Sequence, residues 1–426
     1  MDTSIAASGT VQEMRSQLIR PGDVFSLLLL IGGDTVQKAM AQLTGKSFRL
    51  LNHGPEIRIT PVAFSFGWVA HAFMSLMWAA GDERLMPSAP DFSSIVVNGE
   101  NGFTRTNQSW ILGRLLRDYE ATHEVDPATV SLRIDIYDQQ PVGNVDVDWI
   151  WWQGWLAIII QIGVSIVPWA LSGDWGIFMV TLAGTTLALF TGSLSQWKAE
   201  KWAGRLLGAG KRKVTCLTQG NGSFHIMVFI GGPGAWDIES LAVAKSKARK
   251  DTFWIIIALA VLWTALLITA SGLEEHTWFL VAVGGIGMLQ NIGAAGARRK
   301  PGAANIHFTR HEPRPQIIGI RQRVLDNGDS YDDLGDESGD WLSPKSGNDI
   351  DNVMGALIEL EKTVPKAGLA LMGVFFPGGL MYEKGRIRYK MQRKFWKRAL
   401  RTARDRSSAA WSQSAKPTLN QHSDTV

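Results

Sequence analysis

The sequence predicts an α-helical polytopic membrane protein with four uninterrupted transmembrane helices, two further ones and a small cytosolic α/β portion. Three observations predict it. Four stretches, Trp149–Gly173, Trp175–Trp197, Thr252–Leu273 and Thr277–Ala297, contain no charged residue. Each exceeds the about 20 apolar residues that a spanning helix needs. Tryptophans gather at their ends: Trp149, Trp151, Trp152 and Trp155 open the first, Trp169 and Trp175 flank the next turn, Trp197 and Trp202 follow, and Trp278 opens the last. Indole settles at the headgroup level because its body is apolar and its N–H is not. The loops are also unequal. Ser172–Gly173–Asp174 and Glu274–Glu275–His276 lack Lys and Arg, whereas residues 198–251 hold ten Lys/Arg against four Asp/Glu, and Arg298–Arg299–Lys300 follows the last stretch. Positive loops stay cytoplasmic, so these stretches read as two hairpins with tight outer turns and cytosolic soluble mass.

In chain order, residues 1–22 form a tail with no secretory signal, so insertion relies on the spans themselves. Residues 23–81 read as a membrane pair. Asp23–Leu43 carries the apolar run Phe25–Ile31, then Gly32–Gly33–Asp34 and Lys38. Asp34 and Lys38 are four apart and can pair on one helical face; a half-buried interfacial helix is the alternative. Ile59–Gly81 has His71 as its one ionisable group. If both cross, residues 44–58 lie outside with Lys46, Arg49 and Arg58, against the positive-inside rule. Residues 82–148 form a cytosolic segment. Asn107 caps a helix with Trp110, Ile111, Leu115 and Tyr119 on one face and Arg114, Arg117 and Asp118 opposite. Val130–Ile136 alternates as a half-buried strand.

After the hairpin of residues 149–197, the cytosolic segment 198–251 holds a β-hairpin. Val214–Leu217 and His225–Ile230 are its arms, and Asn221–Gly222 favours a type I′ turn. Ile238–Ala248 reads as a helix. The hairpin 252–297 leads to residues 298–383, with a possible strand at Ala304–Thr309 and a solvated acidic loop over 326–340 whose spacing is not that of an EF-hand. A helix capped by Asn348 and stopped by Pro365 follows. Ala367–Met381, broken by Pro377–Gly378–Gly379, dips into the interface or packs on the spans. Residues 384–426 are a basic tail. Lys384–Arg406 holds eleven Lys/Arg and one Asp, with an apolar stripe at Ile387, Met391, Phe395 and Ala399, which suits anionic lipid headgroups better than nucleic acid.

Chemistry is sparse. Cys216 is the only cysteine, which excludes a disulfide scaffold. There is no Walker-type loop, H-E-x-x-H or G-x-S-x-G. His307 and His311 are four apart, but Pro313 and the strand-like flank argue against a helical metal pair. No catalytic residue, cofactor or metal is assigned. His71, Gln161, Gln290 and Asn291 are the polar groups within the spans, and Gln290–Asn291 among Gly284, Gly285, Gly287 and Gly293 reads as close helix packing.

Several motifs stand together: Arg20–Pro21–Gly22–Asp23, Thr60 to Trp68 (TPVAFSFGW), Ser109 to Glu120 (SWILGRLLRDYE), Gln196 to Trp202 (QWKAEKW), Leu217 to Ser223 (LTQGNGS) and Leu360 to Gly368 (LEKTVPKAG). In combination they resemble a family of uncharacterised multi-pass membrane proteins of filamentous ascomycete fungi, whose genes are often seen near secondary-metabolite genes. The resemblance implies no activity and supplies no site residue. The expectation is an accessory membrane protein of such a pathway, organising enzymes or intermediates at a membrane. An exporter of a small apolar metabolite is the alternative, which an essential Asp34 favours. A membrane enzyme on a lipid-soluble intermediate is the third, with Asp146, Asp148 and His225 as acid–base groups. The sequons at Asn107 and Asn221 both fall in segments expected to be cytosolic and bare.

Overall fold

A computed structural model describes residues 32–49, 56–81, 84–87, 93–246, 250–273, 275–321, 350–378 and 387–414. Helix α1 (Gly33–Leu43), a small hairpin of β1 (Ser47–Arg49) and β2 (Glu56–Arg58), and α2 (Gly67–Ala80) come first. Next are β3 (Ile95–Asn98), β4 (Thr104–Thr106), α3 (Trp110–Thr122) and β5 (Val130–Gln139). Helices α4 (Trp149–Ser172), α5 (Gly176–Gly192) and α6 (Ser195–Lys201) precede β6 (Lys213–Thr218), β7 (His225–Gly231) and α7 (Ile238–Val243). The chain continues through α8 (Lys250–Ser271), α9 (Thr277–Gly296), β8 (Phe308–Arg310), β9 (Gln316–Ile320), β10 (Ile350–Asp351), α10 (Asn352–Thr363), α11 (Ala367–Phe375) and α12 (Ile387–Ser414).

The expected polytopic helical protein with a small α/β portion is overturned. Among the described residues, three helices, α4, α8 and α9, are long and apolar enough to cross a membrane, which makes this a membrane-associated chain. Helix α5 has 17 residues and joins α6 at a 42° bend, a fourth crossing only if the bent pair counts as one. Among the described residues, neither of the two further segments supplies a helix long enough to span. Helix α1 has 11 residues and α2 has 14, about 16 and 21 Å of helix against the ~30 Å of hydrocarbon. Residues 23–31 lie outside the described residues. The Asp34–Lys38 pair forms at 2.7 Å, but on an exposed face of α1.

Against these helices stands an eight-stranded mixed sheet, ordered β10-β9-β5-β7-β6-β3-β4, with β8 on β5 off that path. Strands β5 and β7 are parallel, as are β9 and β10; the remaining pairs are antiparallel. Side chains alternate between two buried faces, as the period of a strand requires. Val97, Leu132, Ile134, Ile136, Cys216, Ile226 and Val228 meet α10, α11 and Trp396 of α12. Val96, Leu217, Met227 and Phe229 meet α3 and α7 on the other face. Both faces are therefore covered, and the α/β portion expected to be small is a layered domain built on eight strands.

Several local expectations change with it. The β6–β7 hairpin forms, but Gly220 and Gly222 take the positive φ (100° and 91°) while Asn221 does not, so the connection is not the type I′ turn. Helix α11 packs on the sheet core and not on the apolar helices, and so do Phe395 and Ala399 of the α12 stripe; the side chains of Ile387 and Met391 lie outside the described residues. Asn352 Oδ1 accepts from Met354 and Gly355 N–H at the start of α10, where Asn348 was expected to cap. The possible strand at 304–309 is a 3-10 turn (Pro301–Ala304) followed by β8. Asn348 and the acidic loop 326–340 lie outside the described residues.

Candidate functional site

The segment expected as the span Ile59–Gly81 is a re-entrant excursion. Thr60 Oγ1 donates to Gly192 O at 3.0 Å, at the sheet-side end of α5. From there, residues 60–66 run non-helically to the middle of α4 and α9, every one buried. Helix α2 then carries the chain back towards the sheet side, where the Leu85 and Met86 N–H groups both donate to Glu200 at 2.8 Å. Away from water, an irregular backbone persists only if protein groups satisfy it. Here side chains of the apolar helices α4 and α9 do so. Gln161 Nε2 donates to Phe64 O (2.6 Å) and Val283 O (2.7 Å), Gln290 Oε1 accepts from Ala63 N–H (3.0 Å), and Asn291 Nδ2 donates to Ser65 Oγ (2.8 Å). Gln290 and Asn291, expected to serve helix packing in their glycine-rich context, hold the loop instead, whereas Gln161 holds the loop and also bridges α4 to α9. Trp68 Nε1 donates to Ala63 O at 2.9 Å and its ring stacks on Trp263 at 5.3 Å.

Glycines make the fit possible. A Cβ at Gly287 would lie 1.8 Å from Phe64 O, and one at Gly154 2.0 Å from Pro61 O. At Gly284 and Gly184 it would enter the rings of Phe66 and Phe64. Gly285, one residue from that seam, faces open space. His71, on α2, is buried with Ser75 Oγ 3.3 Å from its Nε2. Among the described residues, Gln161 Oε1, Gln290 Nε2 and Asn291 Oδ1 have no hydrogen-bond partner.

A second cluster joins the sheet to the apolar helices. The charged face of α3, expected opposite its packing face, is itself packed: Arg114 donates to Ala295 O, and Arg117 to Gly296 O (3.2 Å) and Ala297 O (3.4 Å). Cations at the end of α9 complement its dipole and its unpaired carbonyls. Burial first, and then the neighbouring Arg117 charge, pull Arg114 down to about 10 against the opposing effect of Asp118. Arg299 forms two hydrogen bonds with Asp148 (2.6 and 2.9 Å) and donates to Gln42 O. Lys201, 3% exposed, donates to Gln42 O (3.1 Å) and Thr44 O (2.7 Å). At the opposite end of the helices, His276 Nδ1 lies 3.2 Å from Asp174, so the two short turns meet there.

The residues proposed for acid–base chemistry are dispersed by the fold. Asp148 caps α4 by accepting from Trp151 N–H (3.1 Å); burial raises its carboxyl, but Arg299 outweighs burial and holds it below its ordinary value. Asp146 is exposed, its N–H donating to Gly302 O. His225 lies across the sheet domain, donating from Nε2 to His123 O at 2.7 Å, beside Tyr119, whose hydroxyl bonds Asp135, and Arg133, 2.9 Å from Asp135. Burial lowers His225 and raises Tyr119. His307 and His311 do not share a ligand: the first contacts Asn144 O, the second pairs with Asp138 at 2.8 Å. Gln42, Thr60, Lys201 and Trp263 were missed by sequence reasoning. Only Pro61 and the glycines at 154, 184, 284 and 287 signalled that a backbone approaches closely there.

Comparison with family models, with curated proteins and with solved structures finds no match to this chain.

Proposed function

We propose that this is an accessory membrane protein that holds a layered sheet domain at a bilayer surface for the enzymes or intermediates of a fungal secondary-metabolite pathway. The observation that carries the membrane-presenting role is the buried junction: Arg114, Arg117, Asp118, Asp148, Lys201 and Arg299 tie α1, α3, α4, α6 and α9 together at one end of the apolar helices. Such a joint fixes the height and angle of the sheet instead of leaving it on a tether. The pathway assignment rests on the sequence resemblance alone. In this reading the apolar helices cross as two hairpins, and the sheet side, with Lys201, Arg298, Arg299 and Lys300, faces the cytosol. The exposed cations of α12, Arg393, Lys394, Lys397 and Arg398, then face anionic headgroups.

Export of a small apolar metabolite is the second reading. The re-entrant segment favours it, because interrupted helices and amide groups at depth are how transporters build sites. Against it, Phe64, Trp68 and Trp263 fill the space beside the segment with stacked rings.

Untargeted metabolite profiling of a gene-deleted strain, with cells and medium analysed separately, tests these readings. The accessory role expects less product in both fractions with no single precursor rising. Normal product trapped in cells establishes export instead, and one accumulating precursor establishes an enzyme. Topology has its own test. Asn107 is buried and bonded to Ser94 Oγ, whereas Asn221 is exposed in a turn. Asn221 is expected bare; a glycan there overturns the cytosolic orientation.

A further inference from the structure

We infer that the cleft between α1, α3 and the end of α9 binds a phosphoryl anion, the chemistry shared by an anionic lipid headgroup and free phosphate. Gln42, Trp110, Arg114, Lys201, Arg299 and Lys300 line it. Four of those side chains are cationic, and the one carboxylate in the lining, Asp118, is already held by Arg117 at 2.6 Å. Asp148 neutralises Arg299. Arg114 and Lys201 donate to the carbonyls of Ala295, Gln42 and Thr44, which accept hydrogen bonds but carry no net charge. With Lys201 protonated, the junction buries positive charge in excess of negative; burial and the Arg299 charge pull Lys201 well below its ordinary value, and a bound anion would restore its proton.

A desolvated cation without an opposite charge is costly, and an anion with several acceptor oxygens removes that cost. The side chains suit phosphate: Arg presents a planar fork of donors and Lys a compact charge. Lys300 is exposed beside the buried cations, where it draws an anion in. The location suits a headgroup. The start of α4, the end of α6 and the end of α9 converge at the cleft, and Trp149, next to Asp148, is exposed there as an interfacial tryptophan would be. Helix α12 packs on the opposite face of the sheet from α3, so its basic side is a separate surface.

The test is thermal unfolding of the full chain in neutral detergent, titrated with inorganic phosphate, with dioctanoyl phosphatidate and with uncharged dioctanoylglycerol. A saturable rise in melting temperature is expected with a phosphorylated probe and not with dioctanoylglycerol. Lys300→Gln, an exposed position, is expected to weaken the apparent Kd about tenfold, one charge-assisted contact. Neutralising Arg393, Lys394, Lys397 and Arg398 together is expected to leave it unchanged. A response to phosphate and phosphatidate alike marks a free-anion site; a response to phosphatidate alone marks a lipid site. The inference is overturned if neither phosphorylated probe saturates, if dioctanoylglycerol works as well, if Lys300→Gln binds like wild type, or if the response disappears with the α12 cations. Each variant is referred to its own unliganded melting temperature, so a general loss of stability does not imitate a loss of binding.

Discussion

The sheet domain and the helical bundle solve one problem in opposite ways. In the sheet, backbone pairs with backbone: β5 alone is bonded to β7, β8 and β9, and side chains are left to fill the two covers. In the bundle, the extended segment 60–66 is not paired with a strand, so Gln161, Gln290 and Asn291 supply its partners from α4 and α9, and Thr60 ties its start to α5. Backbone polar groups must be satisfied wherever water is excluded. A sheet does this by register and tolerates many side chains. A threaded loop does it by individual amides and glycines, so single residues carry it.

The largest effect that would break this contrast is steric. Gly287→Val places a branched side chain into the Phe64 carbonyl and is expected to cost about 3 kcal/mol or more. The readout is loss of monodisperse solubilised protein, while Gly285→Ala, facing open space, behaves as wild type. If both behave alike, the segment is not threaded there. Next is Arg299→Met. It leaves Asp148 charged and largely buried, at a cost of about 3 kcal/mol, and hydrogen exchange is expected to accelerate at residues 42–44 and 295–305, where sheet and bundle meet. A change confined to the sheet interior would contradict the junction.

Gln161→Leu is a smaller perturbation. It strips the partner from two carbonyls, Phe64 O and Val283 O, at about 2 kcal/mol in total. A matched change on the sheet surface, where the ladder supplies the bonds, is expected within about 0.5 kcal/mol of wild type. The mildest test uses pH. Burial raises Glu239, but its bonds to Lys213, Arg105 and Asn98 outweigh burial and bring it down to about 2. A carboxyl depressed in the folded state contributes stability above its ordinary value near 4.5, and that contribution is lost as pH falls from there towards about 2. Wild type is expected to lose melting temperature over that window and converge on Glu239→Gln. Parallel pH profiles would show that the network linking β4, β6 and α7 is not held by this charge.

Much of the helical part was legible because it rests on composition. A charge-free stretch such as Trp149–Gly173 has few alternatives to a long apolar helix, and α4 spans Trp149–Ser172. The same reasoning misread Ile59–Gly81. Hydropathy records how apolar TPVAFSF is, and says nothing of whether its backbone is helical or who satisfies it. Pro61 removes a donor, yet Pro168 sits within α4 without ending it, so proline alone did not decide the matter. The site was less legible still. Arg114 and Asp118 were assigned to an outward face because helical periodicity separates two faces and does not say what covers either one. On α12, Trp396 went unremarked beside the stripe of Phe395 and Ala399, although it is the residue buried against Met354.

By itself the sequence determined the quantities that depend on neighbours along the chain: where long apolar helices lie, where charges are excluded, and that strands such as Val130–Ile136 alternate. The tertiary structure alone decided that the strands share one sheet covered on both faces, that an apolar stretch turns back at mid-depth, and that buried cations join the two regions. The physical reason is the range of the interactions. Helix propensity and hydropathy act over a few residues, whereas Phe64 finds Gln161, and Asp148 finds Arg299, only after the chain has closed loops of 97 and 151 residues.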